Sequence, residues 1–139
     1  TEIYTLSLHD ALPISIGQGA LGIESRIADA EVNALIDFFN HPETAAAVKG
    51  ERAVLRRLEG GCQVPIGAYG EVKDGQLTLT GVVASVDGAR FLKKTVVCKP
   101  EDSEKVGISL ADDLIIQGAG KILNEVYKHE TFNVGREDV

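Results

Sequence analysis

The chain has 139 residues, 44% of them hydrophobic, with a mean hydropathy of +0.03, enough apolar material for one ordinary folded domain and too much for a disordered chain. Its 14 Lys and Arg against 21 Asp and Glu leave a net charge of −7, which argues against nucleic-acid binding because phosphate contacts need clustered cations. No apolar run reaches the ~20 residues of a membrane span, and two cysteines, Cys62 and Cys98, cannot build the disulfide framework of a small secreted domain, so a reducing, cytoplasmic setting is expected.

Residue 1 is Thr and the chain has no Met, so it is expected not to begin where its gene begins. Residues Thr1 to Ser15, TEIYTLSLHDALPIS, read physically as an amphipathic segment stopped by Pro13. The string also resembles the conceptual translation of a common sequencing-library adapter. It is therefore set aside as non-native, and His9 and Asp10 carry no function on that reading. Gln18 to Arg26 is glycine-rich and then apolar, which predicts a loop running into a short buried strand. Asp29 is a candidate N-cap for a helix through Phe39, with Val32, Leu35, Ile36 and Phe39 spaced to share one face.

Asn40-His41-Pro42 breaks that helix, with His41 read as a turn or capping residue. Pro42 opens a second helix, with Glu43 near its positive end. It is expected to run to Leu58, with Val54, Leu55 and Leu58 as its apolar face and Gly50 as a candidate interruption. Gly60-Gly61 stops it. Three strands follow, Val64 to Val72, Leu77 to Val86 and Arg90 to Cys98, joined at Asp74-Gly75 and Asp87-Gly88, which predicts an antiparallel meander. Past Pro100, Asp102 or Ser103 can cap a long helix to about Tyr127. Leu110, Leu114, Ile115, Ile122, Leu123 and Val126 would face the sheet, and Gly118 and Gly120 would weaken the helix locally. His129 to Val139 reads as a frayed tail. The fold class is α+β: a three-stranded antiparallel sheet packed against helices, preceded by a strand-helix remnant of another domain.

Cys62 is the residue that asks for an explanation. It stands on the loop between a helix and a strand, beside two glycines that leave room at its sulfur. A helix C-terminus disfavours a thiolate and no His is adjacent, so a Cys-His nucleophile is not supported. A covalent attachment made once needs less activation, and a bland half-buried thiol is the competing reading. Cys98, at the end of a strand, reads as a small core residue. Adjacent Asp112 and Asp113 point apart on a helix and do not form a metal site alone. Gly17-Gln18-Gly19 lacks the spacing and lysine of a phosphate loop. Lys49, Arg52, Arg56 and Arg57 read as a solvated face or as interdomain ion pairs.

The run Glu51 to Gly67, ERAVLRRLEGGCQVPIG, resembles the signature of the porphobilinogen deaminase (hydroxymethylbilane synthase) family. Gly17 to Glu24, GQGALGIE, and Gly107 to Ala111, GISLA, are similar to further motifs of it. The resemblance extends over about Ile16 to Tyr127. It implies a three-domain enzyme that joins four porphobilinogen units into hydroxymethylbilane, releasing ammonia at each step. It further implies a dipyrromethane cofactor held by a thioether on Cys62, where a thiol captures the electrophilic azafulvene carbon left by loss of ammonia.

The resemblance places Gln18 and Gly19 near cofactor and substrate. Residues 16–39 become the return segment of the first domain, 40–128 the C-terminal cofactor-tethering domain, and 129–139 a flexible tail. The family's catalytic Asp and its substrate-binding Arg and Lys would precede Ile16, so no catalytic residue is expected in this fragment. The fragment is expected to be inactive, and Gly19 to Arg26 to lack sheet partners. Porphobilinogen is the implied substrate of a monomeric enzyme with no metal, nucleic acid or membrane partner. The alternative is a stand-alone, non-catalytic interaction module. A redox-sensing role for Cys62 lacks a nearby resolving cysteine.

Overall fold

The computed structural model describes residues 16–17, 19–58 and 65–133, with side-chain surroundings through residue 126. Helix α1 spans Ala30–Ile36 and continues as a single 3₁₀ turn, Asp37–Phe39. Helix α2 follows at Pro42–Arg57. Strands β1 (Ile66–Lys73), β2 (Gln76–Ala84) and β3 (Phe91–Cys98) come next, then helices α3 (Ser103–Ile116) and α4 (Ala119–Asn133).

The strands form one antiparallel sheet in the order β1-β2-β3, the meander expected from the two Asp-Gly pairs. Lys73 pairs with Gln76, so Asp74-Gly75 is a two-residue hairpin turn. Both turn residues have positive φ, 51° and 73°, the combination whose twist matches the flanking strands. Leu77, Leu79, Gly81 and Val83 alternate onto the buried face of β2. There they meet Val54 and Leu58 of α2, Leu110, Ala111 and Leu114 of α3, and Ile122, Leu123 and Val126 of α4. The opposite sheet face carries Tyr69, Thr78, Lys93, Thr95 and Val97 to solvent. Helices on one face of an antiparallel sheet make the fold α+β, as expected.

Helix α2 passes through Gly50 without a break, because that glycine is a packing site. A Cβ there would stand 3.2 Å from Leu79 Cδ2 and 3.4 Å from the Ser103 carbonyl oxygen. The approach to α3 is closer still. A Cβ on Gly107 would lie 2.5 Å from the Gly50 carbonyl oxygen and 2.9 Å from Ala53 Cβ.

Three expectations need correction. The single helix to Tyr127 is two helices, since Gly118 takes φ 112° and ends α3. The second of them, α4, continues to Asn133, across the first residues of the expected tail. Residues 20–26 form no strand, and the apolar side chains there and on α1 are not buried. Leu21 is 98% exposed, Ile27 100% and Phe38 76%; Val32, Leu35 and Phe39 are exposed as well. A strand needs a partner for its backbone groups, and none of the three strands lies beside this segment. The Asp29 cap is present, its carboxylate accepting the Val32 N–H at 3.2 Å.

Candidate functional site

Cys62 and Gln18 lie outside the described residues, as does the segment 1–15. The two ends of the loop that carries Cys62 are described. The Leu58 N–H donates to the Val54 carbonyl, closing α2, and the Leu58 side chain is buried. On the other side, Pro65 accepts from the Ala84 N–H at 2.9 Å and Ile66 is buried at the start of β1. Leu58 and Pro65 are thus the described residues on either side of 59–64.

Gly19 is described. It has φ +82°, with open space around its α-carbon, and the neighbouring Ala20 N–H donates to the Gly17 carbonyl at 3.3 Å. This turn forms one wall of a cleft of about 320 Å³. The first turn of α2 (His41, Glu43, Thr44, Ala47) and β1 (Tyr69, Gly70, Glu71) form the others. His41 caps α2, its Nδ1 accepting the Thr44 N–H at 3.3 Å, as read from the sequence.

Sequence reasoning passed over Glu51. It is 5% exposed, and its carboxylate accepts two backbone hydrogen bonds, from Gly17 N–H at 2.7 Å and Gly70 N–H at 2.8 Å. Both oxygens are thereby satisfied, which is what makes a buried carboxylate tolerable. A signal was present: Ala47, Glu51, Val54 and Leu58 follow helical spacing, so a charge sits inside the apolar stripe of α2.

The basic cluster on α2 is partly committed to α3. Arg56 pairs with Glu104 at 2.7 Å and Arg57 with Asp112 at 2.6 Å, all on exposed side chains. Arg52 and Lys49 are exposed. Asp112 and Asp113 diverge as expected, the latter reaching Lys94 on β3 at 2.7 Å. Among the described residues no three His, Cys, Asp or Glu side chains stand together as a metal site. No described helix is long and apolar enough to cross a membrane. Cys98 is half-buried at the end of β3, and its thiol pKa is raised, first by burial and then by Asp102 and Glu101.

The family model described as the C-terminal domain of porphobilinogen deaminase matches residues 45–115, from inside α2 through the sheet to the end of α3. The chain belongs to the porphobilinogen deaminase family. The porphobilinogen deaminase of Geobacter sulfurreducens is 56% identical over 132 residues, which is 94% of this chain and 41% of that protein. That of Geotalea uraniireducens is 58% identical over 116 residues, 84% of this chain and 36% of that protein. The enzyme of Carboxydothermus hydrogenoformans is 50% identical over 126 residues, 91% of this chain and 40% of that protein. The chain therefore spans well under half the length of these porphobilinogen deaminases. The alignment to the Geobacter sulfurreducens protein takes in part of residues 1–15, whereas the Geotalea alignment is shorter.

Proposed function

We propose that this chain is the cofactor-bearing C-terminal part of an enzyme that condenses four porphobilinogen units into hydroxymethylbilane, with Cys62 as the thioether anchor for dipyrromethane. The observation that carries the reading is the family match across 45–115, which brackets the Gly60-Gly61-Cys62 loop. Attachment asks for a thiol on a loop with small neighbours and firm ends. Leu58 and Ile66, both buried, supply the ends. Bound there, the dipyrromethane would supply the fixed end from which the pyrrole chain is built. Gln18 and Gly19 stand in the same reading as residues near that group.

The described residues do not fit the charge of the group. Pyrrole carboxylates ask for bidentate guanidinium partners. Here the cleft presents Glu43, Glu51 and Glu71, while Arg56 and Arg57 are taken by Glu104 and Asp112. The cations that neutralise the pyrrole chain therefore belong to the parent's other domains, and the chain alone is inactive. The exposed Leu21, Ile27, Phe38 and Phe39 favour a piece of a larger enzyme over a stand-alone module, since large apolar side chains left to solvent in this number ask for a packing partner. The parent is a cytoplasmic monomer acting on porphobilinogen, without nucleic-acid or membrane partners.

The test restores the first two domains and measures intact mass. The parent is expected to be heavier by the cofactor, Cys62→Ser to lose both that mass and activity, and Cys98→Ser to lose neither. An adduct on Cys98, or none on Cys62, overturns the assignment. Turnover of porphobilinogen by the 139-residue chain alone overturns the predicted inactivity.

A further inference from the structure

We propose that Glu51 is a positioning residue: its carboxylate fastens the Gly17–Ala20 turn to α2 and β1, and so fixes where Gly19 stands relative to Leu58 at the end of α2. Its role as a positioning residue rests on the functional reading above; the fastening itself does not. Glu51 Oε2 accepts from Gly17 N–H at 2.7 Å and Oε1 from Gly70 N–H at 2.8 Å, joining segments 34 residues before and 19 residues after it. None of the ion pairs among the described residues includes Glu51, so its charge is answered by these two backbone donors.

The strand comes within reach because residue 70 is glycine. A Cβ there would lie 2.9 Å from Ala47 Cα, so helix and strand touch through backbone. On the other side little else holds the turn. Ile16 packs partly against the core, a Cβ on Gly17 would just touch Val48 at 3.9 Å, and from Leu21 to Arg26 every residue is exposed. A carboxylate with both oxygens accepting is the one acidic side chain that can serve two donors from a single helix position. A carboxamide offers one acceptor oxygen and an NH₂ that cannot accept.

The test is amide NMR and hydrogen exchange on the full 139-residue chain, comparing Glu51→Gln and Glu51→Asp with the parent sequence. The Gly17 and Gly70 amide protons are expected downfield, as charge-assisted donors. In Glu51→Gln at least one moves upfield, and Gly17 exchanges about tenfold faster or more, the size set by losing a hydrogen bond to a charged group. Glu51→Asp, which keeps the charge but withdraws it by one methylene, also releases Gly17. Amides of Leu79, Val83 and Leu110 keep their protection in both. Unchanged Gly17 signals in both variants would show that Ile16 alone holds the turn and would overturn the proposal. Uniform acceleration of all amides would also overturn it, because Glu51 would then serve only global stability.

In the parent with its first two domains restored, Glu51→Gln is expected to lower kcat while the Cys62 adduct remains. Adduct present with kcat unchanged refutes the positioning role, whereas absence of the adduct in the unaltered parent refutes the functional reading instead.

Discussion

Replacing Gly107 by Ala tests how closely α2 and α3 approach. The added Cβ would lie 2.5 Å from the Gly50 carbonyl oxygen and 2.9 Å from Ala53 Cβ, both on α2, and the first of these is backbone that cannot rotate away. Comfortable carbon contacts lie at ~3.5–4.0 Å, so the helices must part by about 1 Å, and a gap of that size forfeits a quarter to a half of the dispersion well for the atoms along it. Those atoms belong to the fully buried Val54, Leu110, Ala111 and Leu114. Overpacking of this kind costs about 1–3 kcal/mol. Alanine returns ~1 kcal/mol of helix propensity.

The upper half of the overpacking range applies because the obstacle is backbone, which leaves a net loss of about 1–2 kcal/mol. For a domain of about this size that lowers Tm by roughly 4–16 °C. Thermal unfolding followed by circular dichroism measures it. Gly120→Ala is the control: it lies in α4 with open space at its Cβ position, and it is expected to raise stability by up to about 1 kcal/mol from propensity alone. A Gly107→Ala protein melting at or above the parent temperature would refute the close helix contact.

Removing the α2 cap with His41→Ala is expected to cost about 1 kcal/mol, read as a shift of the urea midpoint at unchanged slope. The Cys98 thiol is held above its ordinary pKa by burial, with Asp102 and Glu101 adding to it, so less thiolate is present at a given pH. Its alkylation rate, mapped by peptide mass, should therefore rise with pH at a higher midpoint in the native chain than in denaturant. A lower native midpoint would contradict the placement of Cys98 beside two carboxylates.

What the sequence made legible was the part governed by local chemistry. Asp74-Gly75 fixed a hairpin because both residues accept positive φ at modest cost, and register follows from the turn. His41-Pro42 announced the start of α2 for the same kind of reason. The misreadings are positions where tertiary surroundings decide. Gly50 looked like a helix breaker, yet Leu79 and Ser103 lie where a side chain would go. Gly118 looked like a local weakness, yet its φ of 112° ends one helix and starts another. The apolar face of α1 was visible as periodicity, but periodicity says only that a face wants a partner, and Val32, Leu35 and Phe39 of that face are left exposed. The burial of Glu51 was legible as a charge inside the apolar stripe of α2, but its two partners were not, because they are backbone N–H groups from distant segments.

These contacts converge on α2. Its N-terminal half touches β1 at Ala47 against Gly70, its middle touches α3 at Gly50 against Gly107, and Glu51, the next residue, reaches the turn at Gly17. The two glycine contacts exclude a Cβ and so resist sliding more than interdigitated side chains would, since backbone has no rotamer to yield, and Glu51 adds a buried carboxylate that needs its donors. The helix then ends at buried Leu58, immediately before the loop with Cys62. Glycines at 50, 70 and 107 thus mark where α2 is locked to its neighbours.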